Sequence, residues 1–137
     1  MGQNPSALLG QHSIAEPVHT GYIRSGLRAR WQALLQEVDV IVCPPMPTTA
    51  FPHDHAPFRT RQLNVDGKKV SYLDQVVWAA IATPNDLPAT VLPIGHDENG
   101  LPIGAQIIGG YLEDRTTIAF ASLVEREFGG FIAPTNL

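Results

Sequence analysis

Two apolar runs, LPATVLPI over 87–94 and PIGAQIIGG over 102–110, flank the polar stretch GHDENGL. Asn99-Gly100 within that stretch supplies turn residues, because both adopt positive φ at little cost. The pattern predicts a β-hairpin, and strands this apolar must be covered. The remaining segments are constrained by having to cover it.

Helical patterns stand on either side. Ile23, Leu27, Trp31, Leu34, Leu35 and Val38 recur at helical spacing, with Arg24, Arg28, Gln32 and Gln36 opposite. They predict an amphipathic helix over about 20–37. It leads into VDVIVCPP, a short buried strand stopped by Pro44 and Pro45, which have no N–H to donate. From there, prolines, histidines and a DGK turn predict a long irregular loop over about 44–69. A second helix is expected from Ser71 to Ala82, with Leu73, Val76, Val77, Ala80 and Ile81 as its core stripe. Gln75, Trp78, Ala79 and Ala82 form the opposite stripe, so this helix is apolar nearly all round and expected to be buried on both sides. A third helix starts with Asp114 as N-cap, carries Thr117, Phe120, Ala121, Val124 and Phe128 on one face, and stops at Gly129-Gly130. The expectation is one domain over 1–137, of α/β class with α+β the alternative. It would hold a partial mixed sheet, a hairpin and about three packed helices.

The chemistry-bearing patterns are sparse. Phosphate loops need G-x-G-x-x-G or G-x-x-x-x-G-K-[ST], and no G-x-G occurs among the 137 residues. The glycines around 100–110 therefore serve a turn and close backbone approach. His53 and His55 make a His-x-His pair, but only Asp54 stands near as a further ligand, short of the three or four that zinc takes. There is no G-x-S-x-G elbow, and Cys43 at a strand end before two prolines reads as a structural thiol. No catalytic residue, metal ligand or cofactor site is expected from these patterns.

Composition limits the partners. Hydrophobic residues make up 44% and charged residues 16%, with a formal net charge of −4. Soluble domains carry roughly 25% charged residues, so this chain has a large core or keeps apolar surface for a partner. Mild acidity gives no footprint for nucleic acid or an anionic membrane. No apolar run approaches the ~20 residues of a membrane span. A single cysteine excludes an internal disulfide framework and fits a reducing, cytoplasmic location.

DVIVCPPMPTTA, followed after a variable loop by LPATVLPIGHDENGLPIGAQIIGGYLEDRTTIAFASLVERE, closely resembles the C-terminal portion of amidase signature enzymes. The family pattern is an Asp-apolar-Pro strand, then Asn-x-x-Gly-Leu-Pro-Ala, Pro-x-Gly, Gly-Leu-Pro-x-Gly-x-Gln, and a helix ending near a Glu. The resemblance runs from the helix before Asp39 to the tail, and is most specific from Leu87 to Glu125. It implies that Gln106 points inward and needs a hydrogen-bond partner. The family's asparagine and glycine fall on Thr83 and Asp86 here. In the glutamine-handling branch an acidic residue precedes the Leu-Pro-Ala strand; that offset gives Val76, against that branch.

Enzymes of this family hydrolyse amides with a Ser–cis-Ser–Lys triad and an oxyanion loop, following the rule that a hydroxyl needs a base beside it. Nothing here matches Gly-Gly-Ser-Ser or the lysine strand. The resemblance thus implies the C-terminal fragment of an amide hydrolase, supplying scaffold and part of the substrate pocket and inactive alone. Its partner would be the missing N-terminal half. The alternative is a free-standing, non-catalytic homodimeric module whose partner is a second copy. On the fragment reading, Gln75, Trp78, Ala79 and Ala82 are the substrate-binding stripe, suited to an aromatic or aliphatic acyl group.

Overall fold

The computed structural model describes residues 15–133. The expected domain span of 1–137 extends past these at both ends. Helix α1 covers Ala15–Leu34, β1 Ile41–Cys43, β2 Gln62–Val65, β3 Lys68–Ser71, α2 Ala79–Ala82, β4 Ala89–His96, β5 Pro102–Ile108 and α3 Asp114–Phe128. The helix expected over about 20–37 begins earlier and ends in a turn at 35–37.

The hairpin stands where the turn residues place it. Gly100 donates its N–H to Asp97 O at 3.0 Å and takes φ 78°. β5 is the central strand, between β1 and β4, and both pairings are antiparallel. The sheet expected to be mixed is thus antiparallel among the described residues. A tight hairpin fixes one pairing, and β1 arrives from the opposite end to fix the other. A bulge between Pro93 and Gly95 shifts the register of β4.

Successive residues of β5 face opposite sides of the sheet, and Ile107 and Ile108 are both fully buried. Ile108 packs with Cys43, Ala82 and Leu87 beneath Trp31, Trp78 and Ile81. Ile107 packs with Leu92, Ala105 and Ala121 beneath Phe120 and Val124 of α3. Burying two isoleucines on opposite faces contributes on the order of 1.5–3 kcal/mol each. That explains why the strand is apolar on both faces apart from Gln106 rather than alternating.

Two further segments differ from expectation. The stretch over 44–69, expected to be irregular, contains β2 and part of the β2–β3 hairpin, with Asp66 at φ 50° and Gly67 at φ 77°. Both residues in the left-handed region make this a two-residue hairpin turn, so the DGK signal organises strands as well as turning the chain. The second helix is not continuous. A 3-10 segment over Tyr72–Val76, α2, and a second 3-10 segment over Thr83–Asn85 replace it. At the C-terminal end, Asp114 is the first helical residue rather than the N-cap, where its charge suits the helix dipole. Phe128 is exposed rather than on the buried face.

Asp86 adopts φ 54° in the connection between α2 and β4. This is where the family pattern has glycine, and aspartate is among the few other residues that tolerate the left-handed region. Its carboxylate is gripped by two arginines of α1: Arg24 at 3.1 Å and Arg28. Arg28 also lies over the Tyr111 ring at 4.9 Å, so one guanidinium touches both connections flanking the hairpin.

Candidate functional site

The stripe Gln75, Trp78, Ala79 and Ala82 does not open onto one pocket. Gln75 and Ala82 are 6% and 5% exposed, while Trp78 is half-buried against Cys43, Leu87 and Ile108. Ala79 faces a separate apolar recess of about 520 Å3 with Arg24, Val76 and Pro84. Leu73, Val76 and Val77 of the expected core stripe face outward instead, between 49% and 58% exposed, while Ile81 packs against the core. Two causes act together. A 3-10 segment turns roughly 20° further per residue than an α-helix, which breaks the phase assumed for a single helix. The indole is also the largest apolar group of the segment, and its burial outweighs that of a valine.

Trp78 lines a second, larger concavity, and the end of β1 creates it. Cys43 is the last residue of β1 and pairs with Gln106. Pro44 and Pro45 cannot extend that ladder, so β5 before Gln106 lacks a neighbour on the β1 side. The loop of residues 44–51 swings outward, leaving a cavity of about 890 Å3 between it, Trp78 and the start of β5. Cys43 and Ala105, both buried and on opposite faces of the sheet, line its inner end at the sheet edge; Val42, Met46, Ile94 and Ile103, all exposed, line its outer part. Sequence reading missed this cavity. The one signal was the proline stop, which ends one strand while its neighbour continues.

Polar groups hold the frame. Gln106, 5% exposed, donates through Nε2 to the Trp78 carbonyl at 3.3 Å and the Cys43 sulfur at 3.4 Å. That is the inward glutamine with its partner, and it fastens Trp78 to the sheet. Thr49 donates to Asp97 Oδ2 at 2.9 Å, tying the outswung loop to the hairpin turn. Asp97 Oδ1 accepts from the Leu101 and Asn99 N–H groups at 2.8 and 2.9 Å. The Leu101 N–H is the main reason the Asp97 carboxyl titrates below its ordinary range. Lost hydration acts the other way, and Thr49 and Asn99 add to the lowering. His53 and His55 are exposed, their rings 6.3 Å apart. Among the described residues no three His, Cys, Asp or Glu side chains gather to hold a metal ion.

The same frame occurs in known proteins. The Amidase family model matches residues 9–118. The chain belongs to the amidase family. Human fatty-acid amide hydrolase 2 is 30% identical over 112 residues, covering 82% of this chain and 19% of that protein. A glutamyl-tRNA(Gln) amidotransferase subunit from Prochlorococcus marinus subsp. pastoris is 29% identical over 126 residues, covering 88% and 24%. Such close identities do not separate one branch from the other. A crystal structure of an amidase superposes with TM-score 0.69 at 22% identity, covering 93% of this chain and 30% of that one. The α/β amidase fold is therefore shared. This amidase-family chain spans about a fifth to a quarter of the length of the curated relatives it matches. No helix among the described residues is long and apolar enough to cross a membrane.

Proposed function

We propose that this chain is the C-terminal segment of an amidase signature hydrolase. It supplies the sheet strands and one wall of the substrate pocket, and its partner is the serine- and lysine-bearing remainder of the enzyme. The observation that carries this reading is the family match over 9–118 set against coverage of only 19–24% of the relatives' length. The absence of Gly-Gly-Ser-Ser supports inactivity of the chain alone, since without nucleophile, base and oxyanion donors little rate enhancement remains. Trp78 and Ala79 are the members of the four-residue stripe that reach a concavity, each a different one, which supports a role in lining the substrate pocket; Gln75 and Ala82 are buried. A cytoplasmic location belongs to this reading, supported by the single unpaired Cys43.

The test is an amide-hydrolysis assay on the purified chain with aryl and aliphatic amides. The expected result is no turnover above background. Saturable hydrolysis removed by one substitution in this chain overturns the reading.

The second reading, a non-catalytic homodimer, is favoured by one observation. Val42, Leu73, Val76 and Val77 are large apolar side chains left in solvent. A second copy related by a two-fold axis would cover them. Light scattering that finds a monomer at high concentration removes this reading.

A further inference from the structure

We propose that His53 and His55 form a two-imidazole chelate for copper(II), a metal site that does not rest on the amidase reading. Both residues are exposed, and their ring centroids lie 6.3 Å apart. At a metal–nitrogen distance of about 2.0–2.1 Å, two imidazoles on one ion have centroids ~4.5 Å apart when cis and ~6.4 Å apart when trans. The observed separation falls within that span, so side-chain rotation lets one ion reach a nitrogen of each ring. The segment that carries the pair is fastened on both sides. Before it, Phe51 packs edge-on against Tyr72 at 5.9 Å. After it, the Ala56 carbonyl accepts Arg61 Nε at 2.7 Å, and the Ala56 N–H donates to Asp54 Oδ1 at 2.8 Å. A chelate on backbone already ordered loses less conformational freedom on binding than one on a free loop.

The surroundings select the metal. The two histidines share a recess of about 510 Å3 with Asp54 and Arg61, whose opposite charges offset each other. The Arg61 guanidinium lies over the Phe58 and Tyr72 rings, at 5.9 and 5.6 Å from their centroids. No third ligating side chain joins the pair among the described residues. Zinc sites take three or four protein ligands. Copper(II) stands highest among the divalent ions for nitrogen donors and accepts a tetragonal N,O set, in which water fills the remaining positions. Magnesium prefers carboxylate and water oxygens and gains little from imidazole.

The test is titration of the full chain with copper(II) chloride, followed by calorimetry and electron paramagnetic resonance. One ion per chain should bind at this site and give a copper signal split by two nitrogens. His53→Ala and His55→Ala should each reduce that splitting to one nitrogen and weaken binding at least about tenfold, because the second bond of a chelate forms within the molecule. Both positions are exposed, so neither variant removes a core contact. Binding that survives when both are replaced belongs to other donors and is subtracted. His96→Ala, at the end of β4, should leave the two-nitrogen signal unchanged, and excess magnesium should not displace the copper. Persistence of the two-nitrogen signal after both replacements, or a single-variant effect no larger than about twofold, overturns the proposal. So does loss of the signal in His96→Ala or displacement by magnesium. A four-nitrogen signal saturating at half an equivalent also overturns it, since a second copy would then complete the site.

Discussion

The Thr49 hydroxyl donates to Asp97 Oδ2 at 2.9 Å across 48 residues of chain. One side chain comes from the loop that leaves the sheet, the other from the turn that reverses it. The bond straps the loop that lines one side of the cavity to the hairpin turn.

Acid should loosen that strap. The Asp97 carboxyl titrates lower in the folded chain than the ordinary value of about 3.9 in the unfolded one. Its contribution is therefore complete above that unfolded value and is lost as pH falls through the folded one. Urea midpoints at pH 7, 4 and 3 should show a decline that Asp97→Asn flattens, because the amide does not titrate in this range. An unchanged acid limb in Asp97→Asn would show that other carboxylates dominate.

Asp86 combines a backbone demand with an ionic one, and two substitutions separate them. Asp86→Gly keeps the φ of 54° comfortable but removes the pairs with Arg24 and Arg28. Exposed pairs contribute about 0–1 kcal/mol and are screened by salt, so a small loss is expected, smaller still in high salt. Asp86→Ala loses the same pairs and also carries left-handed strain of roughly 1–2 kcal/mol. Denaturant titration should rank wild type and Asp86→Gly close together and Asp86→Ala below both. Equal stability of Ala and Gly variants would refute the strain.

Gly109 lies against Thr117, which is 1% exposed and accepts a hydrogen bond from Thr90 at 2.8 Å. A Cβ at 109 would come within 2.7 Å of Thr117 Cγ2. Gly109→Ala is expected to cost about 1–3 kcal/mol through overpacking. Thr117→Ser keeps the hydroxyl and removes the offending methyl, so the double variant should recover part of that loss. Strictly additive single effects in the cycle would argue that the two positions do not touch.

What was legible in the sequence follows a physical divide. The β4–β5 hairpin and α3 are local, and their turn residues and periodicity announced them. The face of the segment over 72–85 was not legible, because a stripe of apolar residues cannot say which of two apolar sides meets the sheet. Trp78 settled that by docking on Cys43 and Ile108, a contact between distant parts of the chain. The β2–β3 pairing was hidden behind prolines that made the whole segment look irregular. Gln106 was legible as an inward polar group, but its partner, the Trp78 carbonyl, depends on where that segment lies. The cavity, a gap left by one strand ending early, has no motif of its own.

The central position of β5 also bears on the order in which the chain assembles. Its pairing with β4 closes a turn of a few residues, whereas its pairing with β1 joins positions 43 and 106. Closing the longer loop costs more chain entropy and is repaid by only three strand residues. The β4–β5–α3 unit is thus able to form first, and β1 is the late and reversible addition. In native-state hydrogen exchange, the Ile107 amide, on the β4 side like the Gly109 amide that donates to Pro88 O, should persist longest, and those of residues 41–43 should open at lower free energy. The strand whose early end creates the cavity would then be the one whose detachment uncovers its inner end.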